Sequence, residues 1–356
     1  MAYKPKKRRR RRAVTAFTLR ALSPSQLPLL GAIFMAVRVD KKNAPPASAQ
    51  KHIYRGYKQN LPGPLGFIGA GKVGTALAAL LHARGADITA VAGRTPQSSR
   101  KMALGAGLSA SVAKTRSDVL QSASIIFLTV PDDAIEPLCD EIGREGGWRP
   151  GVGVVHCSGA LPSTILHAAR EAGALIASCH PLQAFANLAA ALDNMPGSTF
   201  ALEGDPALVA QLERLVDALG GSPLHLLAEN KTLYHAAAVV ASNYMVTLAA
   251  LASDLLVRAG VTADANTALP HLLPLMHGTL DNLKTLGLPD ALTGPLARGD
   301  AGTITRHLRA LQECAPATAD LYRHIALLTL PMAAAKSHFD EATLDKLREA
   351  ISAGDR

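Results

Sequence analysis

The sequence predicts an α/β protein, a doubly wound parallel sheet followed by an all-helical C-terminal domain. Three observations carry this. Short apolar runs alternate with helix-period segments from residue 64 onward, a glycine-rich turn joins the first run to the first helical segment, and near residue 229 the alternation gives way to helical periodicity alone.

The first strand is expected over 65–70, and it runs through Gly69-Ala70-Gly71-Lys72-Val73-Gly74 into a helix over 71–84. Gly69 permits a tight turn out of the strand, Gly71 has no Cβ to hold a pyrophosphate off the backbone, and Gly74 lets the helix approach the sheet. The free N–H groups of the first helical turn then face an anion. A second strand over 88–93 ends in Arg94-Thr95-Pro96-Gln97-Ser98, and no acidic residue occurs between Asp87 and Asp118. A carboxylate at that strand end would repel a ribose 2′-phosphate, whereas the Arg94 guanidinium can clamp one, with the Thr95 and Ser98 hydroxyls as further donors. The expected cofactor is therefore NADP rather than NAD.

A helix over 96–105, a weak strand near 108–112 and a short helix around 115–121 follow. Residues 124–130 form a continuously apolar strand, as a strand covered on both faces should be. Further strands are expected at 151–155, 174–178, 199–202 and 224–227, the last two flanking a helix at 206–219. One long helix over 230–258 then opens the C-terminal domain, with others at 263–286, 301–313, 316–336 and 341–353. The division is thus a tail over 1–60, a cofactor-binding domain over 61–228 and a helical domain over 229–356.

Charge separates the tail from the rest. The chain carries 37 Lys and Arg against 28 Asp and Glu; residues 1–60 hold 15 of the former and only Asp40 of the latter, so the remainder is mildly acidic. With aromatics at 4% of the chain, no basic face interleaved with aromatics marks the folded part for nucleic acid. The tail, with its run Lys4 to Arg12, is expected to be a disordered extension or the product of an upstream start, with Met35 as the alternative initiator. Cys139, Cys157, Cys179 and Cys314 form no C-x-x-C pair, so they are expected to be reduced, without a metal site. No stretch is taken as a membrane span, the nearest being the short amphipathic run Val239 to Leu251, and the expected location is the cytoplasm.

In doubly wound sheets ligands sit beyond the carboxyl ends of the strands, which gives priority to three turns. Val130-Pro131-Asp132-Asp133 holds backbone groups that can line the cofactor and an aspartate that can cap the next helix. His156-Cys157-Ser158-Gly159 and Cys179-His180-Pro181 put two histidines at equivalent strand ends, where hydride transfer needs a proton donor or acceptor. Ser158 can bond a substrate oxygen and Gly159 allows close approach. Lys231 and His235 share one face at the start of the long helix, with Asn243 beside that stripe two turns later. Arg298, in the loop Thr293-Gly-Pro-Leu-Ala-Arg-Gly-Asp300, either binds a substrate carboxylate or pairs with Asp300. The candidate acid/base groups are thus Lys231, His235, His180 and His156, and the candidate substrate contacts are Ser158, Gly159, Asn243 and Arg298.

Taken with Tyr234-His-Ala-Ala237, Ser242-Asn243 and Thr293 to Asp300, these motifs resemble a family of Rossmann-like proteins with a helical C-terminal domain of unknown function. The resemblance spans roughly residues 62–352. That family is similar in build to the 6-phosphogluconate dehydrogenase-like superfamily, which includes pyrroline-5-carboxylate reductase, ketopantoate reductase and the β-hydroxyacid dehydrogenases. The resemblance implies NADP-dependent hydride transfer with the active site between two domains; the expected reaction is at a C=O or C=N carbon of a small polar metabolite, and the helical second domain makes a homodimer the expected assembly. Lys231 matches the lysine that opens the interdomain helix of the β-hydroxyacid dehydrogenases, but His235 stands where they carry asparagine, and Ser158-Gly159-Ala160 only approximates their Ser-Gly-Gly. The rival expectation is a non-catalytic NADP sensor whose helical domain binds a protein partner.

Overall fold

The computed structural model describes residues 61–353; the expectations for residues 1–60 lie outside the described residues. The first half alternates strand and helix: β1 (Leu65–Ile68), α1 (Lys72–Ala83), β2 (Ile88–Ala92), α2 (Pro96–Gly105), α3 (Arg116–Ser122), β3 (Ile125–Leu128), α4 (Asp132–Arg144), β4 (Gly153–His156), α5 (His167–Glu171), β5 (Leu175–Pro181), α6 (Leu188–Asn194), β6 (Thr199–Gly204), α7 (Pro206–Ala218) and β7 (Ser222–His225). These strands form one sheet in the order β2-β1-β3-β4-β5-β6-β7. Every residue of β1, β3 and β4 is buried, which explains their uninterrupted apolar sequence. Phe67 and Phe127 stack across β1 and β3 with ring centroids 5.0 Å apart. One apolar layer joins the sheet to α1, α2 and α7, and the other joins it to α3, α4 and α5.

The expected sheet is all parallel, and one pair departs from that: β5 and β6 run antiparallel. After β5 the chain stays at the carboxyl edge, where α6 packs against α1, so it re-enters the sheet in the opposite direction. The strand expected near 108–112 is instead a 3-10 turn, Ala110–Val112, with one isolated bridge between Val91 and Ala113. Ser109 causes the change, its hydroxyl accepting the Ser111 N–H at 3.3 Å and bending the backbone out of the sheet.

From residue 231 the described chain is helical: α8 (Lys231–Ala241), α9 (Asn243–Arg258), α10 (Ala265–Leu286), α11 (Ala301–Cys314), α12 (Pro316–Ser337) and α13 (Glu341–Ser352). The single long helix expected over 230–258 is interrupted at Ser242, whose φ of −118° leaves helical geometry. Within Ala228–Arg258 an 18-residue window reaches a mean hydropathy of 1.5, so the stretch is long and apolar enough to cross a membrane by length and composition, and it extends beyond the run Val239 to Leu251. Helices α9 and α10 pack on each other as a hairpin, while α11, α12 and α13 form a separate core around Ile304, Leu308, Leu330 and Leu347.

Candidate functional site

At the carboxyl edge of β1 the glycines are fixed by their neighbours. Gly69 has φ +119°, and a Cβ there would meet the Thr129 carbonyl oxygen at 2.6 Å. A Cβ on Gly74 would meet Thr129 Oγ1 at 2.1 Å, the same hydroxyl that donates to the Gly69 carbonyl at 2.7 Å. The end of β3 therefore demands two of the three glycines. Gly71 differs: its Cβ would find only the Thr129 carbonyl oxygen, at an ordinary 3.5 Å. As N-cap of α1 it supplies no side-chain acceptor, so the first-turn N–H groups face outward past Ala70, Gly71 and Lys72, all exposed. Lys72 Nζ donates to the Ala186 carbonyl at 3.1 Å, tying the loop that follows β5 across this edge; Val73 is half-buried.

Beyond β2, Arg94 is exposed and makes no hydrogen bond or ion pair among the described residues. The Thr95 and Ser98 hydroxyls, expected as further donors, are committed to a capping box at the start of α2: Thr95 Oγ1 accepts the Ser98 N–H at 3.1 Å, and Ser98 Oγ accepts the Thr95 N–H at 2.9 Å. Arg94 is thus left as the free cation of this turn, at the end of the strand that pairs with β1, whose following helix α1 has no side-chain cap. Val130 is half-buried and Pro131 is exposed on the same edge. Pro131, rather than an aspartate, occupies the N-cap of α4. Asp132 in the first turn turns aside to accept the Ser158 hydroxyl at 2.7 Å.

That bond changes the reading of Ser158. Its oxygen also accepts the N–H groups of Ala160 at 3.2 Å and Leu161 at 3.1 Å, and the residue is 4% exposed, so it shapes the turn after β4. His156 is fully buried, and its Nδ1 accepts the Ser158 N–H at 3.1 Å. Burial, reinforced by the Lys231 ammonium, pushes this imidazole down to about 3. His156 is a neutral framework residue of the same turn.

His180 lies two residues beyond the point where β5 faces His156. Its Nδ1 stands 2.8 Å from the Tyr234 hydroxyl of α8, a contact joining the sheet half to the helical half. Gly159 is the floor of this arrangement: a Cβ there would lie 2.7 Å from both His180 Nε2 and His235 Nδ1. The two rings meet edge to face with centroids 6.2 Å apart, and His235 Nδ1 is buried without a hydrogen-bond partner among the described residues. Burial first, then the charge of Lys231, pushes His180 down to about 4, and burial lifts the Tyr234 phenol to about 12. At neutral pH the pair is an uncharged imidazole against a protonated phenol.

Lys231, a candidate acid/base group, does not face solvent at the start of α8. It is 0% exposed; its Nζ donates to the Ser178 hydroxyl and lies 3.4 Å from Glu203 Oε1. Asn243 opens α9, exposed and without a side-chain hydrogen bond among the described residues. Arg298 is exposed and does not bond Asp300, whose two carboxylate oxygens accept the Thr303 N–H at 2.9 Å and the Thr303 hydroxyl at 2.7 Å. The Arg298 loop is held instead from α12, where Lys336 Nζ donates to the Leu292 carbonyl at 2.6 Å and Ser337 Oγ to the Ala297 carbonyl at 2.7 Å. All four cysteines are free thiols, and burial raises those of Cys157 and Cys179. No cluster of three or more potential metal ligands occurs among the described residues.

The structure therefore brings His180, His235 and Gly159 together and adds Tyr234, from the motif Tyr234-His-Ala-Ala237. Its signal was its place three residues after Lys231, on the same helical face.

Comparison with known proteins agrees with this architecture. Residues 57–181 match the model of a Rossmann-like domain, and residues 198–329 match a domain of unknown function, DUF2520. Among solved structures, a protein assigned as an NADP oxidoreductase from Bacteroides fragilis is 24% identical, with a TM-score of 0.56 over 77% of this chain and 98% of its own. A protein from Thermotoga maritima is 25% identical, with a TM-score of 0.56 over 82% of this chain and 100% of its own. An imine reductase from Pseudomonas sp. shares 17% identity and a TM-score of 0.50 over 82% of this chain and 93% of its own. These likenesses establish the fold. No curated protein matches the sequence.

Proposed function

Because the chain joins a Rossmann-like domain to a DUF2520 domain in the 6-phosphogluconate dehydrogenase-like fold, we propose that it is an NADP-dependent oxidoreductase acting on a C=O or C=N carbon of a small polar metabolite. The observation that carries this reading is the Tyr234–His180 contact at the carboxyl edge of the sheet that also presents the glycine loop. In this topology that edge is where a dinucleotide lies.

The residues present fit NADP. The open face of Gly71 and the uncapped start of α1 suit a pyrophosphate, and the unpartnered Arg94 suits a 2′-phosphate. Gly69, Ala70, Gly71, Lys72, Val73 and Gly74 would hold the cofactor from one side, and Arg94 with the backbone of Thr95, Val130 and Pro131 from the other. When bound in reduced form, NADP supplies hydride.

The remaining chemistry belongs to the chain. Tyr234, protonated and bonded to neutral His180, donates a proton to the substrate heteroatom as its carbon is reduced, and His180 steadies the phenolate that results. His235 Nδ1, buried and unbonded over Gly159, offers a second site for a substrate hydrogen bond. Gly159 lets both rings pack against the turn after β4, where any side chain would collide with them. His156 and Ser158 hold that floor in shape.

The helical half supports a homodimer. The α9–α10 hairpin leaves Tyr244 55%, Val246 71% and Leu275 70% exposed, and an apolar surface of that kind marks an interface. We read its occupant as the same hairpin of a second copy. Calorimetric titration with NADP and NAD, followed by NADPH oxidation against a panel of ketones, keto acids and imines, tests the proposal. Absence of binding by either dinucleotide removes it.

A further inference from the structure

A row of buried polar groups lies behind the histidines, and the reaction above makes no direct use of it. Strand register sets His156 beside Ser178 and Ser178 beside Glu203, and cross-strand partners share a face of the sheet. Ser178 is 0% and Glu203 4% exposed. The Glu203 carboxylate is held from a third segment as well, accepting the Ser163 N–H at 2.7 Å and the Ser163 hydroxyl at 2.6 Å. Lys231 descends on this row from the first turn of α8.

An ion pair buried this deeply adds little net stability, because desolvation offsets most of the Coulomb attraction. What the pair does determine is where α8 sits. Lys231, Tyr234 and His235 share a helical face at i, i+3 and i+4, while Ser178 and His180 share a strand face at i and i+2. Helix and strand are therefore joined at two successive points, Lys231 on Ser178 and Glu203, then Tyr234 and His235 on His180.

We propose that Lys231, bolted to Ser178 and Glu203, is a positioning residue: it sets the register in which α8 lays Tyr234 and His235 against His180, and it fixes a positive charge beside that imidazole. The proposal rests on reading Tyr234 and His180 as the proton-transfer pair, and it replaces direct catalysis by the lysine. Among the described residues, the titratable groups that act on His180 are Lys231, Tyr234 and His235 on α8 and His156 at the end of β4, with Cys179 its chain neighbour on β5 and Glu203 on β6 paired with Lys231. Among these, Lys231 and Glu203 are the pair of opposite formal charge, and they act on an imidazolium in opposite senses. The ammonium disfavours the charged ring, which agrees with the direction in which His180 is displaced.

The experiment is an NMR titration of the full chain carrying isotope-labelled histidine, comparing the wild type with Lys231→Met and Glu203→Gln. Loss of the ammonium should raise the His180 midpoint by about one pH unit or more, whereas loss of the carboxylate should leave it unchanged or lower it. A merely structural pin would loosen the site in both variants and raise both midpoints. That result overturns the proposal, as does an unmoved midpoint in Lys231→Met. If Lys231→Met does not fold, Lys231→Gln takes its place with the same readings: a raised midpoint supports the proposal and an unmoved one overturns it. The titration needs neither cofactor nor turnover, so its failure leaves the oxidoreductase reading standing. Failure to bind NADP removes that reading without touching this result.

Discussion

Replacing Arg94 with alanine isolates the element that selects the cofactor. Among the described residues its guanidinium has no protein partner to lose, and the cap of α2 is made by Thr95 and Ser98, so the substitution should leave the fold intact. A charge-assisted hydrogen bond to phosphate contributes about 1.5–3 kcal/mol. At about 1.4 kcal/mol per factor of ten this is a roughly 10- to 150-fold loss of NADP affinity, and the exposure of Arg94 places the expectation near the lower end. NAD lacks the 2′-phosphate, so its affinity should change by less than about threefold. Isothermal titration calorimetry reads both, and repetition at higher salt should shrink the difference because an exposed pair is screened. A parallel loss for NAD and NADP, or none for either, would refute the assignment of Arg94.

Other perturbations test other parts of the site. Gly74→Ala drives a methyl into Thr129 Oγ1 and the Gly69 carbonyl; it should cost about 1–3 kcal/mol of stability in urea unfolding and abolish NADP binding, and a variant of wild-type stability and affinity would contradict the close helix–sheet contact. Tyr234→Phe should lower turnover by about 10²- to 10⁴-fold while the calorimetric NADP affinity stays unchanged. Because His156 and His180 titrate in the folded chain near 3 and 4, below the ordinary 6.5, the unfolded chain takes up their protons first as pH falls. Stability is therefore full above about pH 6.5 and should drop between there and about pH 4, by about 2 kcal/mol per histidine on going from pH 7 to 5; a flat urea midpoint over that range contradicts their neutral burial. Sedimentation equilibrium should give a dimer, and Val246→Glu on the exposed face of α9 should dissociate it; a wild-type monomer would remove the interface.

What the sequence made legible was local. The Gly69–Gly74 loop follows from constraints within a dozen residues and one neighbouring strand, and the histidines after β4 and β5 follow from the rule that ligands collect at carboxyl edges. What it hid depends on register. Glu203 becomes the partner of Lys231 only because β6 runs antiparallel to β5 and so sets it opposite Ser178. Without that reversal a lysine at the start of a helix reads as exposed. Ser158 looked free until Asp132, 26 residues away, was found to accept its hydroxyl. Tyr234 was overlooked because a tyrosine in an Ala-rich helix reads as packing until His180 is placed 2.8 Å from its hydroxyl. The apolar pattern of 230–258 hid the break at Ser242, since a single non-helical residue does not disturb hydrophobic periodicity.

The central claim is that the chain transfers hydride at the Tyr234–His180 pair. The most direct measurement is mass spectrometry of product formed from NADPH deuterated at the transferable position, offered with cyclic imines, ketones and keto acids. The account predicts deuterium on the reduced carbon of at least one substrate class with the wild type, and its near-complete loss with Tyr234→Phe. Tight NADPH binding with no deuterium transferred to any of them would contradict it and leave the chain a dinucleotide sensor.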